Sequence, residues 1–145
     1  MDINNPLVML VDDEVPFVET TTKRLERRNL NILQAFNGRE ALEQLKEHRN
    51  VDVIILDVKM PGMDGIETLQ EIKKASPLSE VIMLTGHATV ESAIEGMKLG
   101  AFDYLMKPCE IEQLVSKVEE ATKKKREHEE KIREAKVREA LSQHG

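Results

Sequence analysis

The sequence predicts an α/β fold: a doubly wound sheet of five parallel strands, with an extended C-terminal helix. Two observations support this prediction. Five short apolar runs alternate along the chain with segments whose apolar residues recur at helical spacing. The runs show almost no polar alternation, which is typical of strands buried on both faces of a parallel sheet. Because parallel crossovers are right-handed, we expect helices on both faces of the sheet.

The five apolar runs are the predicted strands. The third run is the most apolar and contains only Val, Ile and Leu. In chain order the strands are Leu7–Val11, Asn31–Ala35, Val53–Leu56, Val81–Leu84 and Phe102–Met106.

The helices are predicted from the segments between these runs, several of which carry boundary signals. Pro16 suits the first turn of the first helix. Thr89 can cap the fourth helix, Gly100 suits its end, and Pro77 follows the third helix. The predicted helices are Val15–Arg28, Arg39–Glu47, a segment from Gly65 to about Ala75, a segment from Thr89 to Leu99, and a final helix that begins near Glu110.

The final helix is predicted to be longer than one domain requires. An apolar stripe from Ile111 to Ala121 should pack on the sheet, whereas residues 122–131 include no apolar residue. Ion pairs four residues apart support the helix there, each by about 0.2–0.5 kcal/mol. These pairs are Lys123–Glu127, Lys125–Glu129, Arg126–Glu130, Glu127–Lys131 and Glu129–Arg133. We therefore divide the chain into a domain at residues 1–121 and a charged helical extension at residues 122–145.

Charge is distributed unevenly along the chain. The net charge is −6, but the extension holds eight Lys+Arg and five Asp+Glu, which leaves residues 1–121 at −9. An acidic body argues against direct nucleic-acid binding. The basic segment Lys123–Arg126 is followed by Glu127, Glu129 and Glu130, and we interpret it as a solvated helix face.

Composition excludes several other classes. No apolar run approaches the ~18 residues that a membrane span needs, and the N-terminus has no secretory signal pattern. The single cysteine, Cys109, excludes an internal disulfide framework and a multi-cysteine metal site. We therefore expect a cytoplasmic protein that does not bind membranes.

Polar residues stand where the predicted strands end. Asp12 and Asp13 follow the first strand, Asp57 the third, Thr85 the fourth and Lys107 the fifth. Because parallel strands end at one edge of a sheet, these side chains should meet there. Three close carboxylates attract a cation, and oxygen ligands suit Mg²⁺. A carboxylate can act as a nucleophile on phosphorus while a lysine stabilises the transferring group, so the set predicts phosphoryl transfer.

Four motifs at these strand ends resemble the signature of response-regulator receiver domains, over roughly residues 5–121. The resemblance implies a flavodoxin-like (βα)5 fold with strand order 2-1-3-4-5 and a phosphorylation-activated switch of a two-component system. The four motifs are Val11–Glu14, Leu56–Gly65, Leu84–Gly86 and Asp103–Pro108. Two segments, Thr85–His87 and Gly100–Pro108, are similar in particular to receivers of the NtrC family of transcriptional activators. In those proteins a helical linker after the receiver helps dimerisation and controls an ATPase.

The resemblance implies which residues form the phosphorylation site. Asp57 accepts a phosphoryl group from a phosphohistidine on a sensor histidine kinase. Asp13 and Asp57 bind Mg²⁺ directly together with the main-chain carbonyl of Lys59, and Asp12 contributes largely through water. Mn²⁺ could substitute for Mg²⁺. Lys107 pairs with the phosphoryl group, and its bond to the following proline is expected to be cis.

The resemblance also implies how the signal is transmitted. Thr85 moves toward the phosphoryl oxygen and Tyr104 swings inward, which alters the face formed by the fourth helix, the fifth strand and the fifth helix. One position departs from the family's motifs, and two others are positions that affect the lifetime of the phosphorylated state. Cys109 stands where the family often has Phe, and Lys59 and His87 occupy positions that influence the hydrolysis of the aspartyl phosphate.

Other functions and partners stay open at this point. The chain can be a fragment of a larger transcriptional regulator whose output domain is missing. A Mg²⁺-dependent aspartate-nucleophile phosphatase is disfavoured, because such enzymes need an acid where this chain has Lys59. We expect no enzyme activity beyond self-catalysed phosphorylation and dephosphorylation. Expected partners are a histidine kinase, an output protein or domain, and a second copy bound through the signalling face or the C-terminal helix. Lys125 and His128 interrupt the heptad seam of that helix.

Overall fold

The computed structural model describes residues 4–58, 64–86 and 89–144. Strands and helices alternate strictly through these ranges. They are β1 (Leu7–Val11), α1 (Val15–Glu26), β2 (Asn31–Ala35), α2 (Gly38–Glu47), β3 (Val53–Leu56), α3 (Gly65–Ala75), β4 (Glu80–Thr85), α4 (Val90–Lys98), β5 (Asp103–Met106) and α5 (Ile111–His144). The predicted α/β fold with a long C-terminal helix is confirmed.

The strands form one parallel sheet in the order β2-β1-β3-β4-β5. This is the flavodoxin-like order that the resemblance implied. The central strand β3 is buried along its whole length, which explains why its sequence has no polar alternation. The register pairs Val11 with Leu56 and Leu56 with Met83, so β1, β3 and β4 end close together.

The core has two layers, one on each face of the sheet. Helices α1 and α5 cover one face, where Val18 and Val118 pack against strand residues such as Ile55. Helices α2 and α3 cover the other face, where Leu45 and Ile72 pack against the alternate strand residues. Successive strand residues point to opposite faces, so each strand contributes to both layers. The doubly wound arrangement is confirmed.

Several predicted boundaries differ from the observed ones by one or two residues. Helix α1 ends at Glu26, two residues before the predicted end at Arg28. The chain turns there because Asn29 adopts a positive φ of 65°, a conformation that Asn tolerates better than most residues. Strand β4 is longer than predicted: it begins at Glu80 and includes Thr85, both buried.

Helix α5 is partly different from its prediction. The expected pair Lys125–Glu129 is present at 3.0 Å. The interpretation of Lys123–Arg126 as a solvated face is wrong for Lys125, which is only 4% exposed. Its ammonium lies against a buried carboxylate of the sheet, a contact that charge spacing along one helix could not reveal. In the described part of the chain, no helix combines the length and apolarity that crossing a lipid bilayer requires.

Candidate functional site

The ends of four parallel strands supply the candidate site. The main-chain N–H of Asp57 donates to Val11 O at 3.0 Å, which continues the β1–β3 ladder past the strand end. The N–H of Lys107 donates to Thr85 O at 2.9 Å in the same way between β4 and β5. These bonds bring the side chains that follow β1, β3 and β5 to one edge of the sheet.

Asp12, Asp13 and Asp57 form an acidic cluster at this edge. One carboxylate oxygen from each residue can be chosen so that all three atoms lie within 4.8 Å of one another. Asp12 and Asp57 are buried, and Asp13 is exposed. Two ligands of one octahedral Mg²⁺ stand at most about 4.2 Å apart. The cluster therefore fits a divalent cation with little adjustment and leaves its open side toward Asp13.

Lys107 places its ammonium beside the acidic cluster. Its Nζ lies 2.6 Å from Asp12 Oδ2 and 3.8 Å from Asp57 Oδ2. A third carboxylate, that of Glu14, is 3.3 Å away. The ammonium also lies over the ring of Phe17, 4.1 Å from its centroid, in cation–π geometry. The contacts with Asp12, Glu14 and Phe17 thus hold the ammonium close to Asp57.

Burial and charge act together on the acid–base groups. Burial raises the pKa of the Asp12 carboxyl above its ordinary value, against the lowering effect of the hydrogen bond from Lys107. For Lys107 burial acts to lower the pKa, but the hydrogen bond to Asp12 and the charges of Asp12 and Asp57 outweigh it and raise the pKa. Lys107 therefore stays cationic at neutral pH.

The start of α3 is held close behind Asp57. Asp64 caps this helix and accepts hydrogen bonds from the N–H groups of Ile66 and Glu67. The N–H of Gly65 donates to Val58 O at 2.7 Å. A Cβ at Gly65 would stand 2.3 Å from the main chain of Val58, so only glycine permits this approach.

Tyr104 connects β5 to the first turn of α4. Its hydroxyl lies 3.0 Å from Ser92 Oγ. Ser92 also takes part in a capping box with Thr89, whose side chain accepts from the Ser92 N–H at 3.0 Å. The predicted cap at Thr89 is therefore confirmed, and the orientation of Tyr104 is coupled to it.

An apolar stripe is exposed on α4 and β5. Val90, Ile94 and Met97 lie three or four residues apart on α4, and Met106 lies on β5. Their exposed fractions range from 47% to 77%. The buried residue on α4 is Gly96, where Met83 packs closely. Helix α4 thus rests on the sheet through a narrow contact and presents apolar side chains to solvent.

The structure brings Asp12, Asp13, Asp57 and Lys107 together as predicted, with Thr85 bonded to Lys107 through the main chain. The Lys107–Pro108 bond is cis, also as predicted. Lys59 and His87 lie outside the described residues. The chemical roles given to all these residues remain predictions.

Sequence reasoning gave no role to Glu14, Phe17 or Ser92. Glu14 directly follows two acids that were singled out, so its position was a usable signal. Phe17 reaches Lys107 across a long stretch of chain. Ser92 contacts Tyr104 from the neighbouring helix α4. No spacing in the sequence indicates those contacts.

Comparisons with known proteins agree with this arrangement. Residues 8–119 match the family model described as "Response regulator receiver domain". The chain is 38% identical over 121 residues to the transcriptional regulatory protein ZraR of Escherichia coli K12, which covers 83% of this chain and 27% of ZraR. It is 37% identical over 115 residues to the DNA-binding transcriptional regulator NtrC of the same strain, covering 79% of this chain and 24% of NtrC. The chain thus spans about a quarter of these relatives.

A solved structure is also similar. It is a response regulator protein from Burkholderia pseudomallei, described with a phosphorylated aspartic acid, a calcium ion and citrate. The TM-score is 0.75 at 25% identity, with 95% of this chain and 75% of that chain covered.

Proposed function

Because the chain belongs to the response regulator receiver domain family, we propose that it is a phosphorylation-activated switch in which Asp57 accepts a phosphoryl group from a histidine kinase. The resemblance to NtrC-family receivers, which the segments Thr85–His87 and Gly100–Pro108 indicated, is confirmed by the ZraR and NtrC relatives. The observation that supports the proposal most directly is the position of Lys107, whose ammonium lies 3.8 Å from Asp57 inside the acidic cluster.

The proposed reaction transfers one phosphoryl group. A carboxylate oxygen of Asp57 attacks phosphorus, a P–O bond forms, and the P–N bond to the kinase histidine breaks with its electron pair left on the imidazole. Charge on the phosphoryl oxygens is then stabilised by the ammonium of Lys107 and by a hydrogen bond from the hydroxyl of Thr85.

A divalent cation fits the same site. Asp12, Asp13 and Asp57 would hold Mg²⁺, or Mn²⁺ in its place, and the main-chain carbonyl of Lys59 is the remaining proposed ligand. The cation supplies positive charge to the phosphoryl oxygens when bound. The carboxylates otherwise repel one another, which favours its binding.

The signal is proposed to leave through the face of α4, β5 and α5. Thr85 turns toward the new phosphoryl oxygen and Tyr104 exchanges its contact with Ser92 for an inward position. The exposed stripe of Val90, Ile94, Met97 and Met106 gives this face an apolar surface that a protein partner or a second copy can cover. The long helix α5 offers a second route to dimerisation.

The whole regulator is proposed to be longer than this chain. ZraR and NtrC are transcriptional regulators of which the chain spans about a quarter, so an output domain on the same polypeptide is one proposed target. A separate output protein is the other. We propose a cytoplasmic function. Direct nucleic-acid contact by this domain is not part of the proposal, because residues 1–121 carry a net charge of −9.

Mass spectrometry after incubation with Mg²⁺ and a small phosphodonor tests the phosphoacceptor. We expect one added phosphoryl group on the wild-type protein and none on Asp57→Asn. The matched control is Asp64→Asn, which alters an acid outside the cluster and keeps a residue that caps α3. Absence of the adduct on folded wild-type protein, or its persistence on Asp57→Asn, would contradict the proposal. Many turnovers on a phosphomonoester would instead favour the aspartate-nucleophile phosphatase.

A further inference from the structure

A second charged cluster lies at the opposite edge of the sheet. Asp52 directly precedes β3 and Glu80 begins β4, and both are at most 5% exposed. Three consecutive cations of α5 reach these two acids. We call this set the basal clamp, and its members are Asp52, Glu80, Lys124, Lys125 and Arg126.

Asp52 is the centre of the basal clamp. Lys125 Nζ lies 3.3 Å from Asp52 Oδ1. Arg126 donates from Nε and from a terminal nitrogen to the two carboxylate oxygens, each at 3.2 Å, which is a bidentate pairing. The carboxylate also accepts from the N–H of Leu7 at 2.9 Å. The main chain of Asp52 bonds both Leu7 and Glu80, so the residue joins three strands to α5.

The other members of the clamp extend these contacts. Lys124 Nζ lies 3.7 Å from Glu80 Oε2 and over the ring of Phe102. Arg126 additionally donates to the main-chain oxygen of Asn4 at 2.8 Å. The clamp therefore ties α5 to the starts of two central strands and to the chain ahead of β1.

Because these ion pairs are buried, they favour one position of α5 on the sheet over others. The Lys125 and Asp52 side chains are 5% and 4% exposed, so either charge left alone would have no water to compensate it. Such a pair adds little net stability over an apolar one, but removing a single partner is strongly unfavourable. The pair thus favours one register of α5 on the sheet and penalises others.

We propose that the basal clamp makes α5 part of the receiver's folded unit through Glu129, eight residues beyond the boundary predicted at Ala121. Glu129 ends this unit because it pairs with Lys125 at 3.0 Å. From Glu130 to Gln143 every residue is exposed. The clamp thereby fixes the direction in which this exposed part of the helix leaves the body.

Amide hydrogen exchange of the unphosphorylated 145-residue chain tests the proposal. In the wild-type protein we expect residues 122–129 to exchange as slowly as β4, and residues 132–143 to exchange at least about a hundredfold faster. Asp52→Asn should accelerate exchange in residues 122–129 by about ten- to a hundredfold relative to α3, which reports on the rest of the fold. The matched control is Lys123→Met, an exposed lysine of the same helix, which should leave the profile unchanged.

Two results would overturn the proposal. One is rapid exchange of residues 122–129 in the wild-type protein. The other is an unchanged profile in Asp52→Asn. If Asp52→Asn does not fold, Arg126→Gln is measured in its place. This side chain is 40% exposed, and Lys125 still balances the Asp52 charge, so the variant should fold. Loss of the bidentate pairing should nevertheless accelerate exchange in residues 122–129. Unchanged exchange in that variant also counts against the clamp. None of these measurements depends on phosphorylation.

Discussion

The ammonium of Lys107 lies 2.6 Å from Asp12 Oδ2, although 94 residues separate the two positions in the chain. Asp12 is buried and Lys107 is mostly covered, so this ion pair is formed in a poorly solvated environment. The same ammonium is 3.8 Å from the proposed phosphoacceptor Asp57. Lys107 therefore balances the acidic cluster and is already in reach of an incoming phosphoryl group.

Replacing Lys107 by Met should raise the pKa of Asp12 further, because the hydrogen bond and charge that now lower it are lost. We also expect the free energy of unfolding at neutral pH to fall by about 3 kcal/mol, since one partner of a buried pair is removed. Carboxyl NMR titration and urea unfolding measure the two effects in the absence of added metal. Lys107→Arg keeps the charge and is the control. A lowered pKa of Asp12 in Lys107→Met would contradict this account.

Asp13→Asn should weaken Mg²⁺ binding by roughly tenfold, because one of three carboxylate ligands is lost. The fold should stay intact or become slightly more stable, since Asp13 is exposed and its repulsion of Asp12 and Asp57 disappears. Isothermal titration with Mg²⁺ and thermal unfolding without Mg²⁺ test both parts. Marked unfolding of the variant would mean that the acid has a structural role instead.

Two Gly→Ala substitutions should differ sharply in stability. A Cβ at Gly65 meets main-chain atoms of Val58 at 2.3 Å, and we expect a loss of about 2 kcal/mol or more. A Cβ at Gly96 meets Met83 Sδ at 2.3 Å, but a methionine side chain can repack, and alanine gains about 1 kcal/mol of helix propensity. Urea unfolding of both variants gives the comparison. Equal losses in the free energy of unfolding would show that it does not matter whether the added Cβ meets main chain or a flexible side chain.

Thr122→Val should stabilise the protein by about 1 kcal/mol. In the described part of the chain, the hydroxyl of Thr122 is a buried polar atom without a hydrogen-bond partner, and the residue is 5% exposed. Valine keeps the shape and removes the unpaired group. Thr122→Ser keeps the hydroxyl, loses the methyl group and should destabilise. Urea unfolding ranks the three proteins, and a destabilised valine variant would imply that the hydroxyl is bonded in solution.

The lowered pKa of Lys73 should make the free energy of unfolding depend on pH in the alkaline range. Burial lowers its pKa below the ordinary 10.5, with the nearby Lys124 adding to the effect and Glu80 opposing it. Between the lowered pKa and 10.5 the unfolded chain binds more protons than the folded one, so this group makes the free energy of unfolding rise with pH. Lys73→Met should remove that rise. Urea unfolding of both proteins from pH 8 to about 10.5 tests it, and parallel curves would contradict it.

The fold could be predicted from local patterns because each pattern reflects burial. The apolar run Val53–Leu56 is uninterrupted since both faces of β3 are covered. Asp57 and Lys107 could be assigned to one edge because a parallel sheet aligns its strand ends. Those inferences need only the order of elements, which the sequence carries directly.

Contacts that depend on the rotation of a helix were not predictable in this way. Lys125 was assigned to a solvated face because its neighbours along the helix are charged, yet its partner Asp52 comes from the start of another element. The contact of Tyr104 with Ser92 likewise depends on how α4 sits on the sheet. Helix periodicity defines a face, but only tertiary packing decides what that face meets.

The contacts of Lys125 and Arg126 with Asp52 also bear on protein engineering. A chimera in which another helix is grafted onto this body should be joined after Glu129. A junction at Ala121 would delete both cations and leave the buried carboxylate of Asp52, just before β3, without these two partners. The chimera should therefore keep about eight further residues of the native helix, or roughly 12 Å of its length, together with the sheet.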